Sequence, residues 1–106
     1  MAKFLIQVSY TAEGLKGLVK DKASGRLAAV KKAAASVGGK LDVLYWALGE
    51  DDAIGIVDML DAEAAAALGI GISSSGMATT KTTLLLTAEQ VDKALERSVK
   101  YRAPGK

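Results

Sequence analysis

Apolar and polar residues alternate in the first segment of the chain, and a period of two residues is typical of β-strands with one buried face. In the first segment, residues 3–10, the apolar side chains share the face that should contact helices: Phe4, Ile6, Val8 and Tyr10. The other three strands are predicted at residues 41–48, 53–59 and 77–86. Turn-forming sequence at residues 49–52 predicts that the second and third strands form an antiparallel hairpin.

Two consecutive helices are predicted between the first two strands. Thr11 precedes helix-forming sequence, and a threonine there can accept a hydrogen bond from a free N–H of the first helical turn. The pattern predicts a short helix over residues 12–20, a break at residues 21–25 and a second helix over residues 26–37. Gly38–Gly39 should end the second helix, because glycine is favoured just beyond a helix C-terminus.

Capping residues also predict the two later helices. Asp61 should cap a helix that extends to about Leu68, after which the Gly- and Ser-rich residues 69–76 either continue the helix or lead into the fourth strand. Thr87 and Gln90 have the three-residue spacing of a capping box and predict a last helix over residues 88–99. The predicted order of elements is therefore β-α-β-β-α-β-α.

This order predicts a ferredoxin-like α+β fold, βαββαβ with an extra C-terminal helix. Two split βαβ units would form a four-stranded antiparallel sheet with helices on one face. The chain has 106 residues, which suits a single domain, here residues 1–99. Residues 100–106 contain the only proline and three basic side chains, and they are predicted to be a mobile tail.

The second predicted strand carries apolar or aromatic residues on both faces. Strict alternation over residues 41–48 places Leu44, Trp46 and Leu48 on the sheet face without helices, together with Leu5 of the first strand. An apolar face of this kind is uncommon on a monomer, whereas two such sheets can pack face to face. The sequence therefore predicts a homodimer or a higher homo-oligomer assembled through this face.

The absence of histidine and cysteine limits the chemistry that the chain can perform. Histidine is the usual general base and metal ligand, and cysteine supplies thiolates, disulfides and soft metal ligands. Catalysis would therefore depend on carboxylate, Lys, Tyr, Arg or backbone groups or on a bound cofactor, and the sequence itself predicts neither a metal nor a cofactor. The chain shows no signal peptide and no membrane-spanning stretch, so the default expectation is a cytoplasmic protein that does not bind membranes.

The charge is nearly balanced, with 14 basic and 12 acidic residues and a net charge of +2. Nucleic-acid binders usually combine a basic stripe with aromatic side chains that stack on bases. The basic stretch from Lys16 to Lys32 contains no aromatic residue and is typical of a solvated helix face. Nucleic acid is therefore not an expected partner.

Several segments in order resemble the GYD-domain family, small proteins of the dimeric α/β-barrel kind. The resemblance extends from about residue 5 to residue 95 and is carried by Tyr10–Leu18, Gly38–Lys40, Gly49–Asp52, Asp61, Gly76 and the Thr80-x-Thr82 pair. The eponymous Gly-x-Tyr-Asp turn falls on Gly49–Asp52, with Asp51 in place of the tyrosine, and Leu60 replaces a proline before Asp61. The resemblance implies a ferredoxin-like fold and self-association. Relatives with the same barrel include monooxygenases, isomerases and haem enzymes, which is an analogy of fold alone.

Two groups of side chains are candidates for a ligand pocket. Tyr10, Tyr45 and Trp46 are aromatics with polar groups that can line a pocket, or they can simply pack in the core or at an interface. Lys81 lies among threonines and can bind an anion, although a lysine on an edge strand also prevents aggregation. Arg26 completes this set as the cationic group at the start of the second helix.

Acidic and glycine-rich turns are weaker candidates. Asp51 and Asp52, next to Gly49, can act as an acid/base pair or bind a hard cation, or they can serve only as turn residues. Residues 69–76 lead from a helix into a strand and lack the Gly-Lys-Thr ending, so they form a connector rather than a phosphate loop.

These observations favour a non-enzymatic oligomeric scaffold or a small-molecule-binding module. The alternative is a small cofactor-free monooxygenase or isomerase that acts in the cleft between sheet and helices. It would use Tyr10, Arg26, Tyr45 and Trp46, with Asp52 or Lys81 as the acid or base. An enclosed pocket of roughly 300 Å³ or more with converging tyrosine, arginine and carboxylate groups would favour the enzyme.

Overall fold

A computed structural model describes all 106 residues, and its elements follow the predicted order β-α-β-β-α-β-α. The strands and helices are β1 (Ala2–Tyr10), α1 (Ala12–Ser36), β2 (Lys40–Trp46), β3 (Ala53–Met59), α2 (Ala62–Ser73), β4 (Ala78–Leu85) and α3 (Ala88–Leu95). The predicted strands match these bounds to within two residues, and β3 coincides with its prediction.

The four strands form one antiparallel sheet in the order β2-β3-β1-β4. The two central strands, β1 and β3, are not adjacent in sequence. The helices of both βαβ units cross the same face of the sheet. In the register, Phe4 is opposite Val57 on β3 and opposite Leu84 on β4. The structure confirms the ferredoxin-like α+β fold.

All three predicted N-caps are confirmed. The Thr11 hydroxyl accepts a hydrogen bond from the Gly14 N–H at 3.1 Å, and the Asp61 carboxylate accepts one from the Ala64 N–H at 2.8 Å. Thr87 and Gln90 form the complete capping box that starts α3.

The predicted break in the first helical region is confined to one residue. Lys22 has φ 66° and ψ 164°, a conformation that is disfavoured for any residue other than glycine, and the helix continues on both sides of it. The predicted five-residue break was therefore too long. Beyond α1, Gly38 has φ 79°, where glycine avoids the strain that a side chain would cause.

A β-bulge in β2 overturns part of the predicted face assignment. The register passes from Leu41 opposite Val57 directly to Val43 opposite Ile56, which leaves Asp42 as the additional residue. After the bulge, Leu44 and Trp46 lie on the helix-covered face with Leu41, and the prediction that they lie on the outer face was wrong.

The outer face of β2 carries Val43 and Tyr45 instead. Leu48 follows the end of β2 in the hairpin loop and is fully exposed, so it also does not belong to the outer sheet face. Leu5 does lie on that face, opposite Ile56.

The hydrophobic core lies between the inner face of the sheet and the helices α1 and α2. Met59 and Val57 of β3 are its most completely buried large side chains, and Phe4 and Ile6 of β1 pack beside them. The helices contribute mainly small residues and one leucine to this core: Ala34, Ala65 and Leu68. Helix α1 contacts mostly β2, and α2 contacts mostly β4, so each helix covers one side of the sheet.

Helix α3 stands apart from this two-layer body. It ends at Leu95 rather than at the predicted Val99, and none of its residues is buried. The radius of gyration is 17.0 Å, whereas a compact chain of this length has about 13 Å. The extents of 57 × 32 × 23 Å accordingly describe an elongated molecule. No helix in the structure has the length and apolar character needed to cross a bilayer.

Candidate functional site

A cavity of about 550 Å³ lies between the inner sheet face and the two covering helices, open to solvent on one side. Its floor is formed by inward-facing residues of the three neighbouring strands β1, β2 and β3, among them Ile6, Leu44 and Val57. Its walls are formed by α1 and α2, which cover opposite sides of the sheet and leave a gap between them. A mostly apolar concave space of this size is typical of small-molecule sites.

Small residues on the two helices create the space. Gly17 of α1 and Gly71 of α2 both line the cavity, and a Cβ atom added at either position would meet nothing within 4 Å. Neither has the positive φ or the close backbone contact that would require glycine. Each glycine destabilises a helix by about 1 kcal/mol relative to alanine. These two glycines therefore weaken their helices, and no closer packing compensates for the loss. Both glycines therefore leave free space at the cavity wall.

Gly14, one turn before Gly17, has no free space for a side chain. A Cβ atom there would lie 1.8 Å from the backbone oxygen of Met77, so glycine is required for α1 to approach the start of β4. The backbone N–H of Thr11 also donates to this oxygen, at 2.9 Å. The N-terminal end of α1 is therefore held firmly at one end of the cavity.

Tyr10 places a phenol group in the cavity. Its hydroxyl accepts a hydrogen bond from the Trp46 indole N–H at 3.3 Å, and its backbone N–H donates to the Asp52 carboxylate at 2.8 Å. The Asp52 N–H in turn donates to the backbone oxygen of Val8 at 2.8 Å. Asp52 therefore fixes the end of β1, and Trp46 orients the Tyr10 ring.

Charged side chains also line the cavity. Arg26, just after the Lys22 kink, forms a 3.5 Å ion pair with Asp21, and Glu13 lies near the N-terminus of α1. A guanidinium group, two carboxylates and the Tyr10 phenol are thus available to an otherwise apolar ligand space. The guanidinium can donate two parallel hydrogen bonds to the carboxylate of a ligand.

The other two predicted site residues lie on the opposite face of the sheet. Tyr45 is exposed on β2, and Lys81 projects from edge strand β4 towards the carboxylate of Asp51, with 3.3 Å between Nζ and Oδ1. Of the six predicted residues, Tyr10 and Arg26 line the cavity. Trp46 and Asp52 contact Tyr10 from outside the lining, and Tyr45 and Lys81 lie apart from them. Whether any of the six binds a ligand stays a prediction.

Asp51 is the centre of a polar cluster on the outer face that the sequence did not reveal. Although the hairpin turn carries it, the residue is only 7% exposed. Its carboxylate accepts hydrogen bonds from the Gln7 amide at 2.9 Å and from the Ser9 hydroxyl at 3.2 Å, in addition to the Lys81 ion pair. Asp51, which replaces the tyrosine of the Gly-x-Tyr-Asp turn, is therefore tied to both β1 and β4.

A second ionic cluster occupies the other end of the outer face. Lys3 forms ion pairs with Asp42 at the bulge and with Asp58 of β3. The hydrogen bond to Asp42 is the main reason why the pKa of Lys3 lies above its ordinary value of 10.5.

Apolar side chains fill the space between the two clusters of the outer face. They are Leu5, Val43, Ile54 and Ile56, with Tyr45 at the side. Val43, Tyr45 and Ile54 are exposed. The outer face is thus apolar at its centre and ionic at both ends.

Among the residues that form the cavity, the sequence reasoning missed Gly17 and Gly71. For Gly17 the available signal was its position inside helical pattern, where glycine without a turn or a cap has no local reason. Gly71 lies in residues 69–76, which were interpreted as a connector, whereas α2 extends to Ser73. It also missed Gln7 and Ser9, whose role depends on a partner more than forty residues away in sequence.

The fold and the cavity define a small ferredoxin-like α+β domain with an open sheet face and a pocket beneath its helices. A family model for the GYD domain matches residues 4–95, which is most of the chain, and the chain belongs to this family. The resemblance found in the sequence is thereby confirmed. Comparison with curated proteins finds no match, and comparison with solved structures finds none either.

Proposed function

We propose that this protein is a homodimeric small-molecule-binding module and that the ligand occupies the cavity between the sheet and the helices. The cavity of about 550 Å³, left open by Gly17 and Gly71, is the observation that carries the proposal. Helical glycines with free space around them make a pocket at a cost to helix stability, and binding offsets that cost when the ligand is present.

The lining favours a ligand with an apolar, planar body and one polar or anionic group. Most lining residues are apolar, and the small side chains on both helices admit a flat ring. Arg26 and the Tyr10 hydroxyl supply the polar contacts at the cavity wall. Aromatic carboxylic acids combine these properties and are the first class to test, with flavins as a larger planar class.

The amount of exposed surface supports self-association. A compact monomer of 10.9 kDa exposes about 5,600 Å², whereas this chain exposes 7511 Å². The excess of about 1,900 Å² per chain is more than the ~800 Å² that each partner contributes to an interface of ordinary size. Packing of two outer sheet faces would cover the apolar centre at Leu5, Val43 and Ile54.

The ligand proposal is tested by thermal shift with aromatic acids and flavins. A binding ligand should raise the melting temperature of the natural chain in proportion to its concentration. Gly17→Leu and Gly71→Leu fill the cavity and should abolish the shift, while Ala28→Leu, on an exposed position of α1 outside the cavity, should leave it unchanged. Equal shifts in all four proteins would refute binding in the cavity, and no shift with any compound would count against the module.

The convergence of Tyr10, Arg26 and two carboxylates on one cavity favours a second candidate, a small cofactor-free monooxygenase or isomerase. A binding ligand should then be consumed, which chromatography of the incubated mixture and an oxygen electrode would detect. Tyr10→Phe should stop turnover and retain ligand binding in an enzyme. Recovery of the unchanged ligand would favour the binding module.

Assembly and location are tested separately. Light scattering at micromolar concentration should give twice the mass of 10.9 kDa, and a monomer at all concentrations would refute the dimer. The cytoplasm is the proposed compartment, and fractionation of cells that express the tagged chain would check it.

A further inference from the structure

Helix α3 carries an apolar stripe that nothing in its own chain covers. Val91 and Leu95 lie one turn apart on the same side of the helix, and the exposed Val99 follows in the segment after the helix ends. Leu95 is 77% exposed and Val99 is 81% exposed. An amphipathic helix owes most of its stability to packing of its apolar side, so a solvated stripe indicates a missing partner.

The position of α3 excludes packing against its own sheet in this arrangement. Only Leu86 and Thr87 separate β4 from α3, and the capping box at Thr87 fixes the direction in which the helix starts. The helix projects away from the two-layer body, which accounts for the longest extent of 57 Å.

The C-terminal arm, which we define as α3 and the residues after it, begins at the edge of the outer sheet face. Leu85, the last residue of β4, is opposite Lys3 in the register, and Lys3 belongs to the outer face. Because Leu85 lies on the outer face, we expect the segment that follows it to start beside the second copy when two outer faces meet.

The excess exposed area of the chain is larger than the area that contact between two sheet faces would bury. The excess of about 1,900 Å² per chain is more than twice the area of an ordinary interface. The segment from Leu84 to Tyr101 contributes six of the large exposed apolar side chains: Leu84, Leu86, Val91, Leu95, Val99 and Tyr101. Coverage of this segment is needed to bring the exposed surface near that of a compact protein.

The polar side of α3 argues against a membrane as the occupant. Helices that lie on anionic membranes carry lysine and arginine on their polar side. Here Glu89, Asp92 and Glu96 alternate with Lys93 and Arg97, and Glu89 forms a 3.6 Å ion pair with Lys93.

We propose that α3 of each protomer packs its apolar stripe, Val91 and Leu95, against the second copy, so that the two chains exchange C-terminal arms. This inference rests on the proposed dimer and specifies which element locks it. Exchange of arms makes each copy cover the surface that the other exposes, as expected for two-fold assembly.

Paired variants test the contribution of the stripe to dimer affinity. Val91→Ser with Leu95→Ser should raise the dimer dissociation constant by about tenfold or more, because buried apolar anchors dominate interface affinity. The matched control, Asp92→Ser with Lys93→Ser on the polar side of the same helix, should change it by less than about threefold. Equal effects of the two double variants would overturn the inference.

Spin labels locate the arm, and the natural absence of cysteine permits single labelling. A nitroxide on Leu95→Cys should be immobilised at concentrations where light scattering gives a dimer and mobile after dilution to monomer, while a label on Asp92→Cys should stay mobile throughout. A Leu95 label that is mobile in the dimer refutes arm exchange and leaves the dimer intact. A chain that never dimerises refutes both. Immobilisation in the diluted monomer would place the stripe on its own chain and also overturn the inference.

Discussion

The two faces of the sheet are incomplete for different reasons. On the inner face, α1 and α2 cover the strands but leave a cavity, because Gly17 and Gly71 supply too little volume to fill it. On the outer face the side chains are large enough, and it is the covering layer that is missing: Val43, Tyr45 and Ile54 lie exposed. The inner face lacks side-chain volume, and the outer face lacks a layer that covers it.

This difference separates two kinds of unfilled surface. A cavity bounded by firmly packed elements has a fixed volume and selects a ligand of matching size. A flat apolar face has an area rather than a volume, and it is suited to another protein surface. The polar clusters follow the same division, since Tyr10 and Arg26 line the cavity while Asp51 and Lys3 mark the ends of the outer face.

The largest effect is expected in the firmly packed part of the inner face. Met59→Ala removes the most deeply buried large side chain and should lower the free energy of unfolding by about 2–5 kcal/mol. Chemical denaturation followed by circular dichroism measures this loss. Val43→Ala, on the exposed side of the sheet, is the control and should cost less than about 1 kcal/mol in the monomer. Similar losses would mean that the two faces do not differ as described.

On the outer face, Asp51→Ala should have the next largest effect. It leaves the Lys81 ammonium and the Gln7 amide without their common acceptor, and the expected loss is about 1–3 kcal/mol by the same denaturation measurement. Asp51→Asn keeps an oxygen acceptor and should lose less. A loss of less than about 0.5 kcal/mol in the free energy of unfolding of the alanine variant would show that the cluster contributes little to stability.

Alanine substitutions at three helical glycines should change the stability of the protein in opposite directions. Gly17→Ala and Gly71→Ala add a methyl group into free space and should each stabilise the protein by about 0.5–1 kcal/mol. Gly14→Ala should destabilise it, because the added Cβ would overlap the backbone oxygen of Met77. Thermal melting compares the three variants, and a loss of stability in all of them would contradict the presence of an open cavity.

The smallest effect concerns the ionic end of the outer face at high pH. The pKa of Lys3 is raised in the folded state by the hydrogen bond to Asp42, so folding favours the protonated form. The contribution to stability is complete below the ordinary value of 10.5 and disappears as the pH rises through the higher folded pKa. Lys3→Gln should therefore flatten the decline in melting temperature above pH 10.5, and an unchanged pH profile would refute this role.

Local sequence signals predicted most of the fold. Thr11, Asp61 and the Thr87–Gln90 pair identified all three N-caps, because capping depends on side-chain groups within one turn. The short apolar segment 53–59 that follows the predicted turn coincides with β3. The kink was also expected in this region, although only Lys22 departs from helical geometry.

The remaining features depend on contacts between distant segments. The bulge at Asp42 could not be predicted, because apolar residues on both sides of β2 gave no sign of which face each should occupy. The Asp51–Lys81 pair joins a hairpin turn to a strand thirty residues later. The cavity is a sum of small residues on two helices, and no local pattern encodes a space that forms only when those helices cover opposite sides of the sheet.

The kink at Lys22 divides α1 into two straight segments that meet at an angle. The first segment, residues 12–21, is about 15 Å long and carries Gly17, while the second carries Ala33, so both segments line the cavity. The far end of the first segment is fixed to the start of β4, because the Thr11 N–H donates to the Met77 backbone oxygen and Gly14 packs against the same oxygen. With that end fixed, the backbone torsion angles of one surface lysine set the angle between the two segments and hence the width of the cavity.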